Sequence, residues 1–297
     1  MTDSGDRHVP AALRPQPGET GLLAADLAEL GMRTTSAWQM FTAGLAHVDL
    51  SAHSRSRGRT VREHIIPLGA WQDSRGIADM IDAAHRGDPS TEPHSETRRR
   101  LRQSHRDADD EEVRDAISRA ADEATRWFAG GPSPDEAAAI TSSPLGPLPV
   151  ATFVHAAAFQ LAAAWRDIPA APANPHLEAL GLAALVDSSG AVASRMGVTA
   201  SITAVTPEVT VGTGTRDGAW RTVELPESAD GPAVIGPAGV LIDAAGGRVD
   251  FFGIARDLRV RDARRLGAMA VVLDAIPDLP AAAVLRRAAR MASLLSR

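Results

Sequence analysis

Residues 144–168 read PLGPLPVATFVHAAAFQLAAAWRDI, and the fold turns on them. A proline-rich entry leads into a run of about 18 residues with high helix propensity and no internal breaker. Along that run Phe153, Ala156, Ala157, Gln160 and Ala164 fall on one face at helical spacing. In a helical bundle such a face meets other helices and can build a site in the core. Here it carries one amide among small and apolar groups, so it is either a site or packing.

Outside this helix, composition removes whole classes of chemistry. The chain has 297 residues, enough for two ordinary domains, and 44% hydrophobic content can supply a real core. A net charge of −6 gives no basic footprint, so nucleic acid is not an expected partner. No charge-free run reaches the roughly 18 residues of a membrane span. The N-terminus lacks the apolar core of a secretory signal, and the expected location is the cytoplasm. There is no Cys, Tyr or Lys, and all 31 basic side chains are arginine. Disulfides, thiolate ligands, a protein thiol nucleophile and Schiff-base chemistry are therefore excluded. Any general acid or base must be His, Asp or Glu, and any metal site must be built of His and carboxylate.

Upstream of the opening helix, residues 1–18 read as a disordered tail, rich in Pro and Gly without periodicity. A short helix is expected over 19–30. Trp38, Phe41, Leu45 and Val48 mark an amphipathic helix over 36–52. Thr60 with Glu63 has the spacing of a capping box, and Pro67 then falls inside the helix it opens and must kink or unwind it. A further helix ends at Gly87, and 96–128 is one long charged helix or two joined at a frayed middle. Its arginine cluster at 98–102 reads as a solvated face. Together these pieces predict four principal helices over about 20–168 in an up-down bundle. Downstream, a helix over 176–195 precedes three antiparallel strands with turns near Pro207 and Gly218. GTGTRDG at 212–218 reads as a hairpin, because no helix follows to hold a phosphate. A strand end, a helix stopped at Gly246 and two C-terminal helices over 261–276 and 279–295 complete an α+β unit.

This order of elements resembles the mycothiol-dependent maleylpyruvate isomerase family. GRTVREHIIPLGAW, from Gly58, is similar to the family's first metal-binding helix. The opening helix is similar to the family helix that carries a Glu, a His four residues on, and an Asp-Leu end, here Asp167 and Ile168. VIGPAGVLIDAAGGR is similar to a stretch of the family's C-terminal domain. The resemblance spans about residues 30–250. It implies a DinB-like four-helix bundle over 19–174 and a smaller α+β, sterol-carrier-like domain over 175–297.

The family bundle holds a divalent metal, and the resemblance places its three ligands on Pro67, Gln160 and Ala164. Pro and Ala offer no ligating side chain and Gln only a weak oxygen, so a degenerate metal site without metal is expected. A divalent ion is expected only if His64, His47 and Gln160 rebuild a site; His53 lies six residues from His47, on another face. Otherwise His64 and His155 are hydrogen-bonded buried histidines, or catalytic acid/base groups in a metal-free pocket. Trp38, Trp71, Trp127 and Trp165 pack the core or line a cavity anchored by Gln160. Arg62 and Arg166 are candidates to hold a carboxylate or phosphate.

The implied function is small-molecule binding between bundle and C-terminal domain, with isomerisation or thiol transfer using mycothiol as cosubstrate. A low-molecular-weight thiol would be the partner. The alternatives are a non-catalytic binding or scaffold protein and a metal enzyme with a rebuilt histidine site. The oligomeric state stays open.

Overall fold

A computed structural model describes residues 9–265 except 25, 56–57, 88–93, 144, 170, 227–229, 249–255 and 263–264. The two C-terminal helices expected beyond residue 261 therefore lie almost wholly outside the described residues. The chain forms two compact units, Leu27–Gly181 and the pair Met1–Asp26 with Leu182–Arg297.

The first unit is helical. It runs through α1 (Leu27–Leu45), α2 (Val61–Ile65), α3 (Ile77–His85), α4 (His94–Ser104), α5 (Asp110–Ala129), α6 (Pro134–Ala138), the short hairpin β1 (Ile140–Thr141) and β2 (Leu148–Pro149), and α7 (Val150–Arg166). α8 (Pro175–Arg195) begins here and continues into the second unit. Thr60 opens α2 with the expected box: its hydroxyl accepts the Glu63 N–H and the Glu63 carboxylate accepts the Thr60 N–H. Pro67 has no N–H for an α-helical bond, and the chain tightens into a 3-10 turn over Ile66–Leu68 before leaving the helix. α5 starts at an Asp109 box and buries Val113, Ala116, Ile117, Ala124 and Phe128. The charged stretch is thus two helices, broken at residues 105–109. The expected 36–52 helix instead starts at Leu27 and ends at Leu45.

Contacts along α1 fix the helix directions. Thr34 meets His155, and Phe41 lies edge-on to Trp165, so residue numbers rise together and α7 runs parallel to α1. Gly31 lies against Phe128 while Arg114 donates to the Val48 carbonyl at 2.9 Å, so α5 runs antiparallel to α1. Ala70 bonds Ala116 and Ile77 bonds Glu123, so the segment entering α3 is parallel to α5. The expected alternation up-down is therefore corrected to up-down-down-up. Physically, α4 carries the chain across between α3 and α5, a longer connection that lets consecutive helices of a bundle run the same way.

The second unit holds a five-stranded sheet, order β5-β4-β3-β6-β7, from β3 (Ala200–Val205), β4 (Thr210–Arg216), β5 (Ala219–Glu224), β6 (Ala233–Ile235) and β7 (Arg259–Arg261). β3 to β5 form the expected antiparallel meander, and β6 adds to β3 in parallel. Asp217 (φ 52°) and Gly218 (φ 78°) close β4 onto β5 as a two-residue turn with both central residues left-handed. α9 (Ala238–Ala245) ends at Gly246, and the core joins Leu182, Val186, Val211, Leu241 and Leu258.

From residue 9 onward the stretch expected as a disordered tail is packed. Val9 and Leu13 are buried over Gly212 and Gly214 of β4, where a Cβ on Gly214 would stand 2.2 Å from the Leu13 carbonyl oxygen. Trp220 N–H donates to Glu19 O at 3.0 Å, and Arg221 pairs with Glu19 at 2.9 Å. Asp187 on α8 then accepts the Leu22 N–H (3.1 Å) and the Trp220 indole N–H (3.0 Å) on one oxygen. Composition could not signal this, because the partners lie about two hundred residues downstream. Among the described residues one helix, Pro175–Arg195, is long and apolar enough to cross a membrane, and 83% of that window is buried inside the protein.

Candidate functional site

The opening helix turns a different face inward from the one expected. Ala151, Thr152, His155, Ala158, Leu161, Ala162 and Trp165 of α7 are buried, whereas Phe153, Ala156, Ala157 and Gln160 are half-buried. Only Ala164 of the expected face is fully inside. α7 is apolar nearly all round, so period alone does not choose its rotation. Leu161 and Trp165 are the largest apolar side chains on the buried face, and Trp165 packs edge-on to Phe41 of α1.

The two candidate imidazoles serve different ends of this helix. His155 Nδ1 lies 3.1 Å from the Thr34 hydroxyl, which donates its own proton to the Leu30 carbonyl at 2.9 Å. With that proton on Leu30, Thr34 accepts from His155, which puts the ring proton on Nδ1 and leaves Nε2 a buried acceptor with no partner among the described residues. Burial, with the nearby Arg33 charge, pushes the His155 pKa down to about 3. It is a neutral, water-excluded ring and no proton shuttle near neutrality. His64 on α2 instead pairs through Nε2 with the Asp167 carboxylate at 2.8 Å. Asp167 caps α7 twelve residues beyond His155, about 18 Å along the axis. The two histidines do not share a site.

The other candidates also part company. Arg62 pairs with Asp110 at the start of α5. Trp71 stacks on His105, with ring centres 3.8 Å apart, and donates its indole N–H to Ile66 O. His105 in turn holds Asp73 at 2.7 Å, with Arg100 on the same carboxylate. Trp38 is buried on α1, and Trp127 lies edge-on to Phe128. The expected aromatic cavity around Gln160 is therefore not assembled from this set.

What the structure does bring together is Trp165 and Arg166. With Arg55, Ile168, Glu178 and the loop at Pro172 they line a cavity of about 140 Å³ at the C-terminal end of α7. Trp165 donates its N–H to Pro172 O at 2.9 Å, and Arg166 pairs with Glu178 at 2.7 Å. The Arg55 N–H is held by Asp167 O at 2.8 Å. Sequence reasoning missed Arg55 and Glu178. The only available signal was the Asp167 end of the family-like motif, around which they gather.

The resemblance puts the family's ligands on one proline, one amide and one alanine. Pro67 sits in the 3-10 turn, Ala164 is buried, and Gln160 is the one donor. In the rebuilt alternative, His64 is already engaged by Asp167 and His47 is exposed. Among the described residues no group of three or more His, Asp or Glu is placed to hold a metal ion.

No protein-family model matches the chain, and no curated protein matches it. Two solved structures are similar. One is a crystal structure of the mycothiol-dependent maleylpyruvate isomerase, at 14% identity and a TM-score of 0.52 over 81% of this chain and 95% of that one. The other, a histidine-to-alanine mutant of that enzyme, has 14% identity and a TM-score of 0.48 with the same coverage. At this identity the likeness is one of fold.

Proposed function

We propose that the protein binds a small molecule on a maleylpyruvate isomerase-type scaffold, a DinB-like bundle with a sterol-carrier-like second domain, without the family's metal-centred chemistry. The observation that carries this reading is the exchange at one helix. Where the resemblance puts two ligands, α7 carries Gln160 and Ala164, while its C-terminal end builds a charged-rimmed cavity. Binding is favoured over catalysis by the state of the imidazoles. His155 is sealed and neutral, and His64 is 8% exposed with one ring nitrogen on Asp167. At that burial neither ring stands open to a cosubstrate thiol. The fold likeness to a mycothiol-dependent enzyme makes low-molecular-weight thiols the first ligands to try beside carboxylates.

Two measurements test the reading. Zn, Ni and Mn are quantified in tag-free protein, which is then titrated with Zn; a stoichiometric, tightly held ion overturns it in favour of a rebuilt site. Tryptophan fluorescence is followed against thiols and carboxylates. A saturable change supports ligand binding, and silence throughout leaves the scaffold alternative.

A further inference from the structure

We infer that the cavity at the end of α7 takes a small carboxylate with a flat apolar body, anchored by Arg55; this rests on the small-molecule reading above. About half of the wall is apolar: Trp165 and Ile168 are buried behind it and Ala171, Pro172 and Ala173 close the loop side, while Arg55, Arg166 and Glu178 make the polar half. The indole N–H is already spent on Pro172 O, so Trp165 offers the cavity hydrocarbon surface and no donor.

Charge at the rim is unbalanced. Arg166 and Glu178 neutralise one another at 2.7 Å. The Arg55 guanidinium makes no hydrogen bond or ion pair among the described residues, although its backbone is fixed to Asp167. A cation unmatched among the described residues, beside a hollow that is half apolar, selects for an anion with a small hydrophobic body, and the planar guanidinium fork suits a carboxylate bidentately. Size sets the rest. A cavity of about 150 Å³ in an engineered protein core holds benzene, so 140 Å³ admits a single ring or a short chain. Inorganic phosphate would leave the apolar wall unused, and a neutral thiol would leave Arg55 unmatched.

Benzoate and its uncharged counterpart benzyl alcohol are the probes, titrated into the full-length protein by ligand-observed NMR and tryptophan fluorescence. Benzoate should saturate one site and benzyl alcohol should bind at least tenfold more weakly. Arg55→Gln should weaken benzoate at least tenfold with an unchanged melting temperature, while Arg59→Gln, at another exposed arginine, should leave it unaltered. Equal binding of the two probes, equal binding by Arg55→Gln, or no benzoate binding overturns the inference. A thiol from the wider panel that binds wild type and Arg55→Gln alike would leave the small-molecule reading standing while sinking this one. No ligand of any class binding would sink both.

Discussion

Asp187 and His155 are each buried to about 1% exposure, and they respond to pH in opposite senses. Burial pushes the Asp187 carboxyl above its usual 3.8, against the lowering pull of the hydrogen bonds from Trp220 and Leu22. The folded protein therefore keeps this proton after the unfolded chain has lost it, and stability falls as pH rises from 3.8 through the raised value. Asp187→Asn keeps an acceptor for Leu22 and Trp220 and removes the charge. Its melting temperature at neutral pH should equal or exceed wild type. Asp187→Ala, which strands two donors, should cost about 2–5 kcal/mol. An Asn variant as weak as the Ala variant in denaturant titrations would contradict this. At His155 the unfolded chain takes up a proton near 6.5 that the folded protein refuses until about 3, so stability is lost as pH falls through that window. His155→Gln removes that loss. Between about pH 7 and about pH 4 its stability relative to wild type should rise by up to ~1.4 kcal/mol per pH unit.

Among the elements, the parallel pair α1 and α7 depends on a small residue at one crossing. A Cβ on Gly44 would stand 2.3 Å from the rim of the Trp165 indole, which is itself pinned by Pro172 and lies edge-on to Phe41. Gly44→Ala should gain helix propensity yet lose about 1–3 kcal/mol net through overpacking. Urea denaturation checks the sign: a stabilised variant would mean that Trp165 yields freely. The same crossing explains which local features were readable. The Thr60 box and the Pro67 break are written in neighbouring residues, and both formed as the sequence implies. The rotation of α7 was not readable, since its alanines suit any face and the packing of its own Trp165 against Phe41 and Gly44 of α1 decides.

For the molecule as a whole, the N-terminal segment belongs with the sheet that follows the bundle in sequence. Leu13 is fully buried on the glycine face of β4, worth roughly 1.5–3 kcal/mol by its burial alone. Deleting residues 1–22 should lower amide protection in β4 and β5 while leaving α1 and α5 protected. Hydrogen exchange on the full and shortened chains reads this, and unchanged protection of the sheet would argue against it. The sequence by itself determined the local grammar: caps, breaks, the hairpin at Gly218, and a helical part followed by a strand-bearing one. It also determined that thiol and lysine chemistry are absent, because those are properties of composition. Only the tertiary structure decided the direction of α7, the docking of residues 9–22, and the gathering of Arg55, Trp165, Arg166 and Glu178 around one cavity. The physical reason is range. Capping and turns act within a few residues, while packing and charge pairing act between residues that only the folded chain makes neighbours.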